Sequence, residues 1–483
     1  MKETNLEDYF QQFREQIIGL NLTHNDKTIV YADWTASGRL YQPIEEFILK
    51  NIAPWVANTH TEASYTGRTM TRYYHEAQQI IKAHVGANSQ DVLICAGTGM
   101  TGVVNKFQRI LGLRVPEKWA ERFEISEDEK PVIFITHMEH HSNQTTWEEC
   151  AATVVIIPEN ERGLPDANAL DRLLHQYKDR SLKIGSFTAC SNVTGIKIDY
   201  QQLAEMMHRH GGYCFVDFAA SAPYVEINMH PENPLHQLDA IMFSPHKFLG
   251  GPGSNGVLIF NRNLYHNKVP DHPGGGTVTW TNPWGKHQFF EDIEIREDGG
   301  TPGFLQTIRT ALAIRLKEKM GVDNIDAREK ELVSLMFEHL QQIPQIEILH
   351  DTETHRLAVF SFYVPDIHFN LMVRLLSDKF GIESRGGCSC AGTYGHILLG
   401  VDQETSHEIT CKIDEGDLSK KPGWIRVSLH PTTSNNEVLH IAEAIKQIIA
   451  HVDEWQKEYE FDPGVGDYVS KTEQDGRATL RDF

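Results

Sequence analysis

From about residue 91 onward, apolar runs of strand length alternate with helical patterns, and this alternation constrains the fold more than any other feature of the chain. Strands that alternate with helices form a mainly parallel sheet covered by helices. Several of the predicted strands are followed directly by a short polar or glycine-rich loop. In open α/β sheets, ligands bind at the carboxyl ends of the strands. The sequence therefore predicts an α/β fold with a binding site built from these loops.

A lysine follows one predicted strand, and an aspartate ends another. Lys247 comes after the apolar run 238–243, between a histidine and tight glycine turns. An amine placed there can be desolvated and react with an aldehyde, although a surface lysine beside a turn is the alternative. Asp217 ends the apolar strand 212–217, where a cap or turn carboxylate is the alternative. Pyridoxal phosphate needs both a lysine and a carboxylate partner for its ring nitrogen, so the pair favours an enzyme that uses this cofactor.

Two further loops carry polar chemistry. Residues 97–102, rich in glycine and threonine, join the strand 91–95 to a helix that begins near Val103. Such a junction can cradle an anion, because backbone amides and the helix dipole point at it, and a plain turn is the alternative. The cluster 137–143 holds three histidines without the spacing of a metalloprotease helix. A flat imidazole stacked on a planar cofactor suits this position better than a metal site, and no metal is predicted.

Composition excludes several classes of protein. The 483 residues carry a formal net charge of −21, which argues against nonspecific binding of nucleic acid. No run of apolar residues is long enough to span a membrane, and the charged N-terminus does not resemble a signal peptide. Seven scattered cysteines suit a reducing compartment better than a disulfide framework. The sequence therefore predicts a cytoplasmic protein that binds neither membranes nor nucleic acid.

The predicted organisation has four parts. They are an N-terminal helical segment (1–27) that could pack on the C-terminal domain, a large domain (28–319), a small C-terminal domain (320–460) and a tail (461–483). Within the small domain, the polar stretch 399–423 is predicted to be a surface loop or a mobile lid.

A pair of cysteines lies in the small domain. Cys388 and Cys390 follow Arg385, whose guanidinium could hold a thiolate or a substrate carboxylate. The pair could bind metal, form a redox couple, serve only structure or supply a catalytic thiol. Their spacing alone does not decide between these roles.

In combination, the motifs of these loops resemble those of one family. They are Glu139-His140-His141-Ser142-Asn143, Ser191-Asn192-Val193-Thr194-Gly195, Val216-Asp217-Phe218-Ala219, Ser244-Pro245-His246-Lys247, Gly300-Thr301-Pro302 and Arg385-Gly386-Gly387-Cys388-Ser389-Cys390-Ala391. The chain resembles the class V aminotransferase superfamily of fold-type I pyridoxal phosphate enzymes over about residues 28–450. Within it, the chain is most similar to cysteine desulfurases and selenocysteine lyases of the SufS/NifS kind. The resemblance implies a large domain with a mainly parallel seven-stranded sheet, a smaller α+β C-terminal domain and a homodimer.

The resemblance also implies roles for individual residues. Lys247 matches the Schiff-base lysine, Asp217 the partner of the pyridine nitrogen, and His140 the imidazole on the ring face. Cys390 matches the nucleophilic cysteine that takes sulfur from the substrate, leaving a persulfide and alanine, and a sulfur-acceptor protein could follow. The matched phosphate contacts are Gly99, Met100, Thr101, Ser244, His246 and, from the other subunit, Thr301. The residues matched to the substrate carboxylate and the cofactor oxygen are Asn192, Arg385 and Arg426.

The chain also departs from the family pattern. Ala220 stands where the family usually has a glutamine, and Cys388 is a second cysteine in residues 388–391, the thiol loop. These changes leave open a carbon–sulfur lyase, an epimerase or an aminotransferase that acts on another small amino acid. From other classes, the alternatives are a non-catalytic scaffold and a zinc hydrolase that uses His137, His140 and His141.

Overall fold

The computed structural model describes residues 5–59, 61–122 and 125–471. The first residues of the predicted segment 1–27 and the end of the predicted tail 461–483 lie outside the described residues. The helices, in chain order, are α1 (Leu6–Arg14), α2 (Gln42–Phe47), α3 (Tyr65–His84), α4 (Met100–Ile110), α5 (Glu117–Ala120), α6 (His141–Glu148), α7 (Ala167–Gln176), α8 (Tyr200–Arg209), α9 (Ile293–Glu297), α10 (Phe304–Met320), α11 (Val322–Leu340), α12 (Phe369–Phe380), α13 (Gly392–Leu398), α14 (Gln403–Asp414) and α15 (Asn435–Trp455).

A seven-stranded sheet forms the centre of the large domain. Its strands are β1 (Asp91–Ala96), β2 (Val132–Thr136), β3 (Thr153–Ile157), β4 (Lys183–Thr188), β5 (Tyr213–Asp217), β6 (Ala240–Phe243) and β7 (Gly256–Asn261). Their order in the sheet is β1-β7-β6-β5-β4-β2-β3, and only β7 runs antiparallel to its neighbours. The predicted α/β class and the mainly parallel seven-stranded sheet are thus confirmed.

The sheet is buried on both faces, which explains its near-continuous apolar strands. Side chains alternate between the faces of a strand. In β2, Phe134 packs into one core, whereas Ile133 and Ile135 pack into the other. In β5, Val216 and Phe215 divide in the same way. Because both faces are covered by the flanking helices and loops, polar groups gather at the strand ends, where the pocket described below lies.

A four-stranded antiparallel sheet forms the centre of the C-terminal domain. Its strands are β8 (Glu347–Ile348), β9 (Val359–Tyr363), β10 (Arg385–Gly387) and β11 (Trp424–Ser428), in the order β8-β9-β11-β10. Among the described residues that precede β10, six short strands lie outside the two main sheets. They are Thr23–His24, Lys27–Thr28, Val30–Tyr31, Val278–Thr281, His287–Phe289 and Ile382–Glu383.

The N-terminal helix lies against the C-terminal domain. Arg14 forms an ion pair with Glu437 of α15 at 2.7 Å, and the carboxylate of Glu7 accepts a hydrogen bond from the backbone amide of Asn435. Further along, Val30–Tyr31 pairs in parallel with Ile382–Glu383. Both the N-terminal helix and the short strand Val30–Tyr31 are therefore held to the small domain.

The part of the predicted tail 461–483 that the structure describes belongs to a hairpin. Tyr459–Asp462 and Asp467–Ser470 form an antiparallel hairpin. The ring of His368, at the start of α12, contacts the rings of Phe461 and Tyr468 at centroid distances of 5.2 and 5.5 Å. The hairpin is stabilised by the cross-strand pair of Phe461 and Tyr468, whose ring centroids are 5.0 Å apart.

The stretch 399–423 also differs from a plain loop. It contains the helix α14, which Asp402 caps by accepting a hydrogen bond from the amide of Thr405 at 2.8 Å. None of the residues of α14 is buried. A helix that buries none of its residues gives only a weak apolar period in the sequence, and such a stretch resembles a loop. Among the described residues, no helix combines the length and the hydropathy needed to cross a bilayer.

Candidate active site

A cavity of about 320 Å³ opens at the carboxyl ends of β4, β5 and β6, where the large sheet meets the small domain. The N-terminus of α4 forms one wall, and β10, β11 and the thiol loop form another. Every site residue that the sequence predicts lines this cavity except Thr301, which is exposed outside it. Those that line it are Gly99, Met100, Thr101, His140, Asn192, Asp217, Ser244, His246, Lys247, Arg385, Cys390 and Arg426.

Lys247 and Asp217 reach the cavity from neighbouring parallel strands. Asp217 ends β5, and Lys247 ends the short 3₁₀ turn that follows β6. Burial raises the pKa of Asp217 to about 6, although its carboxylate accepts a 2.7 Å hydrogen bond from the amide of Ala219. Burial lowers the pKa of Lys247 to about 8, and the charge of Asp217 opposes that shift. The amine is therefore much closer to neutrality than an exposed lysine, as a nucleophilic amine requires.

The turn before α4 is shaped to hold an anion. A β-carbon on Gly99 would lie 2.9 Å from Cε1 of His246 and 3.1 Å from Oγ of Ser244, so only glycine fits without displacing them. Ser244 Oγ accepts a hydrogen bond from the amide of Met100 at 2.9 Å. His246 Nδ1 donates to the carbonyl of Thr98 at 2.9 Å, which orients the ring. The first amides of a helix have no partners within it, so this turn offers donors together with a favourable dipole.

His140 is a neutral imidazole on another wall of the cavity. It is the N-cap of α6, and its Nδ1 accepts a 3.0 Å hydrogen bond from the amide of Ser142. Burial lowers the pKa of His140 to about 3, with Lys247 adding to the effect. Because Nδ1 is an acceptor, the single proton of this ring is on Nε2. The geometry thus presents a flat, uncharged ring to the cavity.

The adjacent Glu139 fixes the backbone of the loop 137–140, which carries His140. Its carboxylate is fully buried and accepts hydrogen bonds from the hydroxyl of Thr136 (2.6 Å), the amide of Thr188 (2.9 Å) and the side chain of Asn143 (2.7 Å). Burial raises the pKa of Glu139 to about 7. This network joins the ends of β2 and β4, so the loop that carries His140 is held rigidly at the sheet edge.

Two arginines meet across the small sheet, and one aspartate joins them. Arg385 and Arg426 are register partners in β10 and β11. Asp33 accepts a hydrogen bond from Nη2 of Arg426 at 2.9 Å through one oxygen and from Nε of Arg385 at 3.0 Å through the other. Two guanidinium groups against one carboxylate leave one net positive charge at the cavity wall. This balance suits a ligand with a single carboxylate.

Asp33 is the functional residue that sequence reasoning missed. It follows the strand-like residues 28–31 and begins a polar loop, so the position of a polar group after a strand could have pointed to it. Two polar atoms near it are buried without a partner among the described residues, namely Nε of Arg426 and Oδ1 of Asn192. The amide nitrogen of Asn192 donates to the carbonyl of Ser389 at 2.6 Å. Unpaired buried polar atoms in a cavity wall indicate that a ligand completes the site.

The thiol loop brings Cys390 to the mouth of the cavity. Ser389 and Cys390 have φ values of 50° and 57°, in the left-handed region that side chains seldom adopt. The carbonyl of Cys390 accepts a 2.8 Å hydrogen bond from the amide of His141, and Nε2 of His141 accepts one from the amide of Gly392, also at 2.8 Å. Cys390 is exposed, whereas Cys388 is partly buried and packs against the core that contains Phe134 and Val216.

The structure also bears on the alternatives for the cysteines and histidines. All seven cysteines are free thiols. Nδ1 of His140 and Nε2 of His141 accept backbone hydrogen bonds, and Nε2 of His137 donates to the carbonyl of Gly163 at 3.2 Å. Among the described residues, these three histidines do not form a group with metal-ligand spacing. The zinc hydrolase alternative therefore has no support.

We expect Asp33→Asn to lower the free energy of unfolding by about 1–3 kcal/mol, because Arg426 is buried and would lose its carboxylate partner. Urea denaturation followed by circular dichroism measures this change. The matched control is Asp166→Asn, since Asp166 pairs with the exposed Arg172 and asparagine caps α7 equally well. The control should cost at most about 1 kcal/mol. Equal losses in both variants would contradict a buried bridging role for Asp33.

The fold and the cavity define an α/β enzyme with a desolvated lysine, a buried carboxylate and an anion cradle around one site. The chain matches the family model described as aminotransferase class-V over residues 30–441. It therefore belongs to the class V aminotransferase family, whose members are pyridoxal phosphate-dependent enzymes. The family that the motifs predict is thus confirmed.

Individual relatives agree with this assignment. The chain is 28% identical over 372 residues to a probable cysteine desulfurase of Staphylococcus aureus strain N315, covering 76% of this chain and 84% of the relative. A probable cysteine desulfurase of Staphylococcus epidermidis matches with the same values. By fold, the chain is similar to the apo structure of the cysteine desulfurase of Thermococcus onnurineus NA1, with a TM-score of 0.73, 22% identity and coverage of 93% of this chain and 100% of that one. The cysteine desulfurase CsdA of Escherichia coli gives a TM-score of 0.70, 21% identity and coverage of 91% and 98%.

Proposed function

We propose that this chain is a pyridoxal phosphate-dependent cysteine desulfurase, which converts L-cysteine to L-alanine and retains the sulfur as a persulfide on Cys390. One observation carries the proposal. The buried pair of Lys247 and Asp217 faces the same cavity as the exposed thiol of Cys390. The names of the Staphylococcus relatives support the choice of reaction.

The cavity fits the cofactor residue by residue. The turn at Gly99, where a β-carbon would collide with His246 and Ser244, leaves room for a phosphate against the amides of α4. His140 would lie on a face of the ring, and Asp217 would meet its nitrogen. The unpaired Oδ1 of Asn192 marks a polar contact that a ligand would complete. When bound, pyridoxal phosphate supplies an electron sink for negative charge at the α-carbon of an amino acid.

Each of the charged residues around the cavity then has a defined role in the reaction. Asp217 is mostly ionised at neutral pH because its pKa is about 6, so it can hold a proton on the ring nitrogen. Lys247, with a pKa near 8, can remove and return the α-proton of the substrate. Arg426 and Arg385 bind the substrate carboxylate, and Asp33 holds both guanidinium groups in place.

Cys390 takes the sulfur. Its thiolate attacks the sulfur of the bound substrate, a new S–S bond forms, and the electron pair of the broken C–S bond stays with the carbon fragment, which gains a proton and leaves as alanine. The left-handed loop at Ser389 and Cys390 carries the thiol at the cavity mouth, where an acceptor protein could reach it. Overall, one substrate cysteine and the thiol of Cys390 are converted to one alanine and one persulfide on Cys390.

The proposed enzyme is a homodimer in the cytoplasm. Thr301 is exposed and outside the cavity of its own chain, which suits a contact made to the site of a second copy. The hairpin Val278–Thr281 and His287–Phe289 exposes Trp280 and Trp284, as a subunit interface would require. Free thiols in every cysteine suit a reducing compartment.

One departure supports a second candidate. Ala220 lines the cavity but carries no group that could donate to a cofactor oxygen. A carbon–sulfur lyase of the same family would release sulfide with pyruvate and ammonia instead of alanine. The products therefore separate the two reactions.

The test uses the purified full chain with its cofactor. We expect visible absorption from bound pyridoxal phosphate, and alanine formed in amounts equal to the sulfur released when L-cysteine and a thiol reductant are added. Pyruvate and ammonia in place of alanine would favour the lyase. A protein that stays colourless after incubation with pyridoxal phosphate would contradict both.

A further inference from the structure

A second group of chemically active side chains lies outside the cavity. Asp171 and His175 are one turn apart on α7, and His210 is the C-cap of α8. Among the described residues, this is the group of three histidine, cysteine or acidic side chains whose ligand atoms all lie within 4.8 Å of one another. We propose that Asp171, His175 and His210 form a surface site for a borderline divalent metal ion such as Zn²⁺.

The distances suit three ligands of one ion. Nε2 of His210 lies 3.0 Å from Oδ1 of Asp171, and Nε2 of His175 lies 3.8 Å from Oδ2 of the same carboxylate. Bonds of about 2.0–2.1 Å in tetrahedral zinc sites place the ligand atoms roughly 3.3 Å apart, and the ligand atoms of this group all lie within 4.8 Å of one another. The two imidazole rings are perpendicular, with centroids 4.7 Å apart, so they do not stack, and each has its Nε2 within 4 Å of the carboxylate. Movements of at most about 1.5 Å would therefore bring the ligand atoms to the spacing of a zinc site.

The ligand set and the exposure determine which ion fits. Two imidazoles and one carboxylate suit Zn²⁺ and its neighbours in the first transition row, whereas Mg²⁺ and Ca²⁺ prefer oxygen ligands. The side chain of His175 is 68% exposed and that of Asp171 is 45% exposed, which leaves an entry path and a position for water. The nearest cation on α7, Arg172, turns to Asp166 at the start of the helix.

The site lies far from the catalytic cavity. His210 comes three residues before β5, at the amino end of that strand, whereas Asp217 ends the same strand at the cavity. The length of β5, roughly 15–20 Å, separates the two. A bound ion would tie the end of α7 to the end of α8 and would favour the folded chain by mass action.

The test uses Co²⁺, which replaces Zn²⁺ and is coloured. The full chain, with pyridoxal phosphate bound and freed of metal by a chelator, is titrated with Co²⁺ alone. We expect one equivalent to bind with the visible d–d bands of nitrogen and oxygen ligands and without the near-ultraviolet band of thiolate ligands. Zn²⁺ should displace it and raise the melting temperature.

The variants His175→Ala and Asp171→Asn should weaken Co²⁺ binding by at least about tenfold, because even the loss of an outer-sphere partner costs about 10–100-fold. The matched control is His236→Ala, since His236 pairs with Glu205 at 3.1 Å outside the group. It should bind Co²⁺ as the unchanged chain does. Retained binding in both site variants, a thiolate spectrum, or no bound Co²⁺ in the unchanged chain would overturn the proposal.

Discussion

Lys247→Ala is expected to lower the rate of alanine formation from L-cysteine by at least about 10³-fold, within the range for loss of a proton-transfer group. The substitution removes the one amine that burial brings to a pKa of about 8 beside Asp217 in the cavity. It would also remove the proposed covalent link to the cofactor. Borohydride reduction followed by peptide mass spectrometry should therefore find the cofactor on the peptide that contains Lys247 in the unchanged protein, and nowhere in the variant.

The chain offers a matched control for this result. Lys317 is also buried, and burial lowers its pKa to about 7, but it donates to the backbone carbonyl of Ala222 away from the cavity. Lys317→Met should keep its activity per folded molecule and its labelled peptide at Lys247. Labelling at Lys317, or full activity in Lys247→Ala, would contradict the assigned role of Lys247.

Cys390→Ala has the second largest expected effect. The variant should form persulfide and alanine at least about 10²-fold more slowly, because it has no thiolate at the cavity mouth to attack the substrate sulfur. Its visible absorption with pyridoxal phosphate should be unchanged, because the side chain of Cys390 is exposed and is not part of the anion cradle. Single-turnover assays for alanine, with cyanolysis to count persulfide, measure both results.

Two other thiols serve as controls for Cys390. Cys388→Ala removes a side chain that packs against the core, and Cys411→Ala removes an exposed thiol on α14. Both variants should form persulfide at nearly the normal rate. If Cys388→Ala were as inactive as Cys390→Ala, a two-cysteine mechanism would replace the single nucleophile.

The sequence was most informative where local pattern and chemistry coincide. Buried parallel strands such as Val132–Thr136 read as continuous apolar runs, and their connectivity requires the polar loops to meet at one edge. Gly99 and Lys247 could therefore be assigned to one site before any distance was known. The sequence could not predict the ion pair between Asp33 and Arg426, because a contact between residues so far apart in the chain depends on tertiary packing.

Two other features were hidden for different physical reasons. Helix α14 has no fully buried residue, so the apolar period that sequence analysis could detect is weak. The hairpin at Tyr459–Asp462 and Asp467–Ser470 depends on aromatic contacts with His368, about ninety residues earlier in the chain. Helix α14 is capped by Asp402, and the hairpin depends on contacts with a distant residue. Neither interaction produces a periodic hydrophobic pattern in the sequence.

His141 makes two hydrogen bonds at the thiol loop, one to the carbonyl of Cys390 and one from the amide of Gly392, while the preceding residue, His140, lines the cavity. The thiol loop is consequently hydrogen-bonded to a residue that lies one peptide bond from the cavity wall. A fluorophore attached to Cys390 would therefore serve as an optical sensor of cavity occupancy, because Cys390 itself lines the cavity.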